Sequence, residues 1–244
     1  MPKFLIILIC GILAVIPCVG KACGLPGQVR SGAVSPRGPS DIHMESERVT
    51  IRLGRSKFTV DAEFHLFNPG ETTAERVRFP KEGLAEDSDL ICFTAWAEGK
   101  KVDLTVEYDA GIIKGLFERI ASNLIHRYPA LGLTGLGQCN TDRWLVGNVI
   151  FPARKTTTLR ARYESTYDGQ SATYILGTAS NWKDDVEKSI FVIDATEVGG
   201  TNNIAVHFLR NAPGPELLGD NLLKLELRHC KPPPESGLSI HVRR

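Results

Sequence analysis

Residues 45–71 read ESERVTIRLGRSKFTVDAEFHLFNPGE, and this stretch decides the fold class. Val49, Ile51 and Leu53 alternate with Thr50 and Arg52, the period-two pattern of a strand with one buried face. GRSK at 54–57 interrupts the run. Phe58, Val60, Ala62, Phe64 and Leu66 then share one face, while Thr59, Asp61, Glu63 and His65 share the other. NPGE at 68–71 closes the second run with the residue types that tight turns require. The stretch reads as an antiparallel hairpin with one wet face.

The same pattern continues outward. Further strands are expected at 74–79, 90–97, 102–108, 144–151, 157–167, 172–178, 189–194, 204–209, 222–229 and 238–242, with 90–97 and 102–108 forming a second hairpin around EGKK. One segment breaks the period. GIIKGLFERIASNLIHRY at 111–128 places Ile113, Leu116, Phe117, Ile120, Leu124 and Ile125 at helical spacing. An amphipathic helix over 113–127 is expected there, followed by the Gly-rich loop ALGLTGLGQCN. The expected fold is mostly β: an antiparallel β-sandwich, either one continuous sandwich or two stacked β-subdomains, with one amphipathic helix insertion. The expected division is a leader at 1–22, an extended lead-in at 23–43, a first sandwich part at 44–110, the helix and loop at 111–140, and a second sandwich part at 141–244.

The N-terminus differs in kind. A lone early Lys3 precedes an apolar run over residues 4–19, and Gly20 and Ala22 follow as small residues. This is the layout of a secretory signal peptide cleaved near Gly20 or Ala22. The run is shorter than the roughly 20 residues of a spanning helix; an uncleaved anchor is the alternative. The expected location is therefore secreted, periplasmic or in the cell envelope, without membrane insertion once the leader is gone. The formal charge of +1 argues against nucleic acid as a partner. Cleavage leaves Cys23, Cys92, Cys139 and Cys230, and four cysteines in an exported chain point to two disulfides. Cys139 is expected to tether the Gly-rich loop, with Cys92 or Cys230 as partner.

Motifs of chemistry are scarce. The sequence holds no G-x-S-x-G, no H-E-x-x-H and no phosphate-binding glycine loop. His43, His65, His126, His207, His229 and His241 are scattered, and His229 follows Leu225 and Leu227 on an apolar face, as a core-edge histidine would. The acidic run at 86–89 lacks the spacing of a calcium loop. A thiol enzyme built on Cys139 and His126 is the one nucleophile pairing in view. No metal, no cofactor and no catalytic residue is assigned. One loop stands out: Trp182, flanked by Asn181 and Lys183, lies between two strands. Exposed, it would anchor a protein or glycan partner; folded back, it would cap the core.

Four blocks carry a resemblance. They are MESERVTIRLGRSKFTVDAEFHLFNPGET with VRFP, RWLVGNVIFPARKTTTLRARYESTY, YILGTASNWKDDVEKSIFVID, and LELRHCKPPPESGLSIHV. In this order they resemble an exported bacterial β-rich family catalogued as a domain of unknown function. The first block is also similar to the β-sandwich domains of vault and inter-alpha-trypsin-type proteins. Ala179 stands where that family pattern has glycine, and Asp184 and Asp185 where it has a Gly-Pro turn. The resemblance implies an exported sandwich and carries no catalytic residue. The reading that follows is a non-catalytic protein acting through surface contacts with an envelope or extracellular partner. A hydrolase of envelope polymers with a loop-assembled site is the alternative, as is a structural component of an envelope assembly.

Overall fold

The computed structural model describes residues 31–80, 91–108, 143–167, 170–208, 214–233 and 236–243. The hairpin of residues 45–71 forms β3 (His43–Leu53) and β4 (Lys57–Asn68), paired antiparallel from His43↔Phe67 to Leu53↔Phe58. The inward set is the one alternation dictates: Val49, Ile51, Leu53, Phe58, Val60, Ala62, Phe64 and Leu66 are all buried. Withdrawing a side chain such as Phe64 from water contributes about 2–3 kcal/mol. The turn after β4 is locked by Asn68, whose Nδ2 donates to the Phe151 carbonyl at 2.9 Å and whose Oδ1 accepts from the Gly70 amide.

The remaining strands are β1 (Ser31–Gly32), β2 (Ser35–Pro36), β5 (Thr73–Pro80), β6 (Ile91–Ala97), β7 (Lys100–Lys101), β8 (Thr105–Tyr108), β9 (Arg143–Phe151), β10 (Lys155–Thr166), β11 (Ser171–Ile175), β12 (Val186–Asp194), β13 (Ile204–His207), β14 (Glu216–Leu217), β15 (Leu222–Cys230) and β16 (Gly237–Val242). They form three sheets. An eight-stranded sheet has the order β14-β15-β12-β3-β4-β10-β6-β7, and two four-stranded sheets have the orders β1-β11-β16-β13 and β2-β5-β9-β8. The small sheets cover different halves of the large one. Tyr174 of β11 meets Phe191 of β12 edge-on at 5.9 Å, and Phe79 of β5 meets Phe93 of β6 at 5.1 Å. One hydrophobic core runs through all three sheets. The mostly β, sandwich-like architecture expected from the pattern is present.

Three expectations change. Strands from both sides of residues 111–140 share the large sheet: β3 and β4 are flanked by β12 and β10, so the first and second sandwich parts do not form separate sheets. Because β8 and β9 pair with each other (Thr105↔Val146, Tyr108↔Arg143), segment 109–142 leaves and re-enters at one hairpin rather than separating two domains. The helix expected over 113–127 lies outside the described residues. The second hairpin is also shorter than expected. β6 pairs with β7 only at Trp96↔Lys101 and Ala97↔Lys100, after which the chain crosses to β8 in a small sheet. Finally, within the extended lead-in, residues 31–36 are built into the sheets and the core. β1 pairs with β11 and β2 with β5, and Ala33, Val34 and Ser35 are fully buried where the chain passes from one small sheet to the other.

Candidate functional site

Trp182, Asn181 and Lys183 are fasteners. The 3-10 turn Gly177–Asn181 sets Trp182 against the buried segment between β1 and β2. Trp182 is 2% exposed, and its Nε1 donates to the Val34 carbonyl at 2.9 Å. Thr178 Oγ1 donates to the Ala33 carbonyl at 2.6 Å, and Asn181 Nδ2 donates to Ser35 Oγ at 3.1 Å. Buried carbonyls need donors, and this turn supplies them to a segment that changes sheets. Lys183 is exposed but held by Asp41 at 2.7 Å; the Lys183 ammonium beside it keeps the Asp41 carboxyl below the usual range. Trp182 therefore caps the core and cannot anchor a partner as an exposed ring.

The cysteines also depart from expectation. Cys92 and Cys230 are free thiols; Cys23 and Cys139 lie outside the described residues. Cys92 is on β6 and Cys230 on β15, five strand steps apart in the large sheet. At about 4.8 Å per step that separation is several times the Cα–Cα reach of a disulfide, about 7 Å at most. Cys230 packs against the core edge. Burial first, then the Asp185 and Glu47 carboxyls, push its thiol above the ordinary value. A reactive thiolate needs the opposite environment.

Where β3, β12 and β15 end together, inward residues come three apart instead of two: Met44 and Glu47, Val186 and Ser189, Leu227 and Cys230. A register shift between Met44 and Ser46 accompanies this on β3, and His229 adopts φ 45° on β15. The reset turns His229 out to solvent, against the core-edge position expected for it. His229 then lines a shallow depression with His43, Asp184, Asp185 and Glu187. His43 Nδ1 lies 3.1 Å from Asp184 Oδ2, a base-and-orienter pair in outline. Burial pushes the thiol of the neighbouring Cys230 up, the opposite of what activates a nucleophile beside such a pair. Among the described residues, no group of three or more His, Cys, Asp or Glu is placed to hold a metal ion.

Two features escape the sequence reading. Glu47 is one. It lies on the inward face two residues before Val49, 2% exposed, and neither carboxyl oxygen has a hydrogen-bond partner among the described residues. Burial pushes its carboxyl up to about 7; Ser189, facing it on β12, opposes that shift. The Tyr174 hydroxyl is likewise buried and without a hydrogen-bond partner among the described residues, and it feels the Glu47 charge. Alternation from Val49 places Glu47 inside, which is the signal that identifies it.

The other is an open cleft of about 330 Å³ on the outer face of the large sheet, lined by Asp61, Trp96, Gly99, Arg160 and Arg162. Registers bring these residues together: Trp96 is opposite Arg160, and Arg162 is opposite both Thr94 and Asp61. The inward neighbour Ala95 is fully buried, and Trp96 stands partly exposed on the wet face. Arg160 is held by Asp61 at 3.3 Å and Glu63 at 3.5 Å. Arg162 is exposed and makes no ion pair among the described residues. The hairpin turn at Glu98 and Gly99, both with positive φ, walls one side. A planar aromatic ring beside an unpaired guanidinium can stack a flat ligand and grip an acidic group.

No protein-family model matches the chain, and no curated protein matches it. The fold is similar to that of a candidate nutrient binding protein from Legionella pneumophila, with TM-score 0.61 and 14% identity over 88% of this chain and 71% of that one. It also matches an M1 zinc metallopeptidase from Deinococcus radiodurans at TM-score 0.39 and 9% identity, over 86% of this chain and 43% of the enzyme. This chain spans less than half of that enzyme's length, and a likeness of that size carries no functional argument. The Legionella likeness shows the fold alone.

Proposed function

We propose that this chain is an exported, non-catalytic β-sandwich binding protein of the cell envelope or extracellular space, taking its partner on the outer face of the large sheet. The carrying observation is the placement of Trp96. An indole left partly exposed along one side of a cleft, with two arginines on the next strand and a carboxylate beyond them, is the composition of a recognition surface. The leader-like N-terminus supports export. So does the resemblance of the four sequence blocks to an exported family of unknown function. The Legionella protein's nutrient-binding description accords with a binding role.

The test uses the full chain with its own leader. We expect recovery outside the cytoplasm with the N-terminus beginning near residue 21 or 23, and retention of the purified protein on isolated envelopes. Trp96→Ala is expected to lose most of that retention without a change in unfolding temperature. Recovery in the cytosol with Met1 intact would overturn export, and undiminished retention of Trp96→Ala would overturn the assignment of the surface.

A further inference from the structure

The cleft that carries the proposed binding role also contains enough chemistry to name a ligand class. Arg162 supplies an unpaired, exposed guanidinium, whose planar fork matches a carboxylate through two parallel hydrogen bonds. Arg160 is committed to Asp61 and Glu63, so of the two arginines lining the cleft Arg162 is the one without an ion pair among the described residues, suited to a single acidic group. A row of phosphates would meet those two carboxylates as well, and like charges would oppose it. One oxygen of Asp61 faces Arg160 while the other makes no hydrogen bond among the described residues, leaving an acceptor for a hydroxyl. Trp96 supplies an aromatic face.

The backbone narrows the choice further. β4, β10 and β6 are interior strands of the large sheet, and β6 is paired with β10 on one side and with β7 at its Trp96 end. An extended peptide laid across the cleft at Trp96 would meet strands already paired on both sides. A ligand that brings its own hydroxyls and needs no backbone ladder fits better. The volume, about 330 Å³, is at the small end of ligand sites, which begin at about 300 Å³.

We propose that the cleft formed by Trp96, Arg162, Asp61 and Arg160 binds an acidic saccharide, with a uronic-acid ring against Trp96 and its carboxylate on Arg162. This inference rests on the binding role proposed above, and its test separates the two. Calorimetric titration of the mature chain at low salt uses tetragalacturonate, the same tetrasaccharide as its methyl ester, and a glutamate-rich hexapeptide. The acid is expected to bind at least tenfold more tightly than the ester, with affinity falling as salt rises. Arg162→Gln is expected to weaken the acid about tenfold and leave the ester unchanged. Trp96→Ala is expected to weaken both, and Trp96→Phe to retain most of the binding. Equal affinity for acid and ester, or indifference to Arg162→Gln, would overturn the carboxylate assignment. Tighter binding of the hexapeptide would replace the saccharide with an acidic peptide partner. Absence of any tetragalacturonate binding overturns the ligand class, while Trp96-dependent envelope retention would still stand.

Discussion

Replacing Glu47 with glutamine isolates a single buried charge. Glutamine keeps the shape of the protonated acid and cannot ionise. In the unfolded chain the carboxyl titrates near 4.5, and in the folded protein burial pushes it up to about 7. The folded state therefore holds the proton more tightly. Its contribution to stability is fully present below pH 4.5, is lost as pH rises through 7, and stays lost above that. Each tenfold change in proton affinity is about 1.4 kcal/mol, so the interval from 4.5 to about 7 corresponds to about 3 kcal/mol. Most of this loss, about 2–3 kcal/mol, falls between pH 5 and pH 8. Urea unfolding of wild type and Glu47→Gln at both values measures it, and every other ionisable group is common to the two proteins. We expect the variant to gain about 2–3 kcal/mol on wild type from pH 5 to pH 8, with an unchanged dependence on urea. Tyr174→Phe removes the nearby hydroxyl, which has no partner among the described residues, and is expected to be neutral or slightly stabilising. Parallel pH profiles for wild type and Glu47→Gln would refute the reasoning. They would show that the carboxylate has solvent or a partner that quenches its burial.

Further outcomes follow from the packing. Trp182→Phe leaves the buried Val34 carbonyl without its donor and is expected to cost about 1–3 kcal/mol, whereas Trp182→Ala adds a cavity and is expected to cost about 3–5 kcal/mol; denaturant titration measures both. Replacing segment 109–142 by a two-residue Asn-Gly turn joins strands that already pair with each other, so the far-ultraviolet spectrum and cooperative unfolding are expected to persist. Loss of folding would show that the segment supplies core. Alkylation of the native protein followed by mass spectrometry is expected to label exposed Cys92 well before Cys230, and faster labelling of Cys230 would show that burial does not suppress its thiolate.

Strands were legible because burial on one face of a pleat leaves a period of two in the chain itself. The inward sets of β3, β4 and β10 can be read directly as apolar residues spaced two apart. Glu47 escaped the reading although the same rule reaches it, because a glutamate in phase with Val49, Ile51 and Leu53 faces the core. Trp96 was half legible. Its phase opposite Phe93 and Ala95 puts it on the wet face, but its neighbours Arg160 and Arg162 are distant in sequence, and only the pairing of β6 with β10 brings them alongside.

Tertiary structure alone decided the rest, because alternation tells which face a residue takes and not which strand lies next to it. The parallel pairing of β3 with β12 joins segments that sequence order would assign to different halves of the sandwich. Trp182 has the same neighbours in the chain whether it points outward or inward. The buried carbonyl of Val34 settles its direction, and that acceptor belongs to a segment whose Gly, Pro and Ser content reads as an extended lead-in and does not show its burial. His229 and Cys230 exchange the positions that strict alternation assigns them, since one residue at φ 45° resets the phase. The sequence by itself determined the class of fold and the face of nearly every strand residue. Long-range pairing and local departures from the period decided which side chains meet, and therefore where the site is.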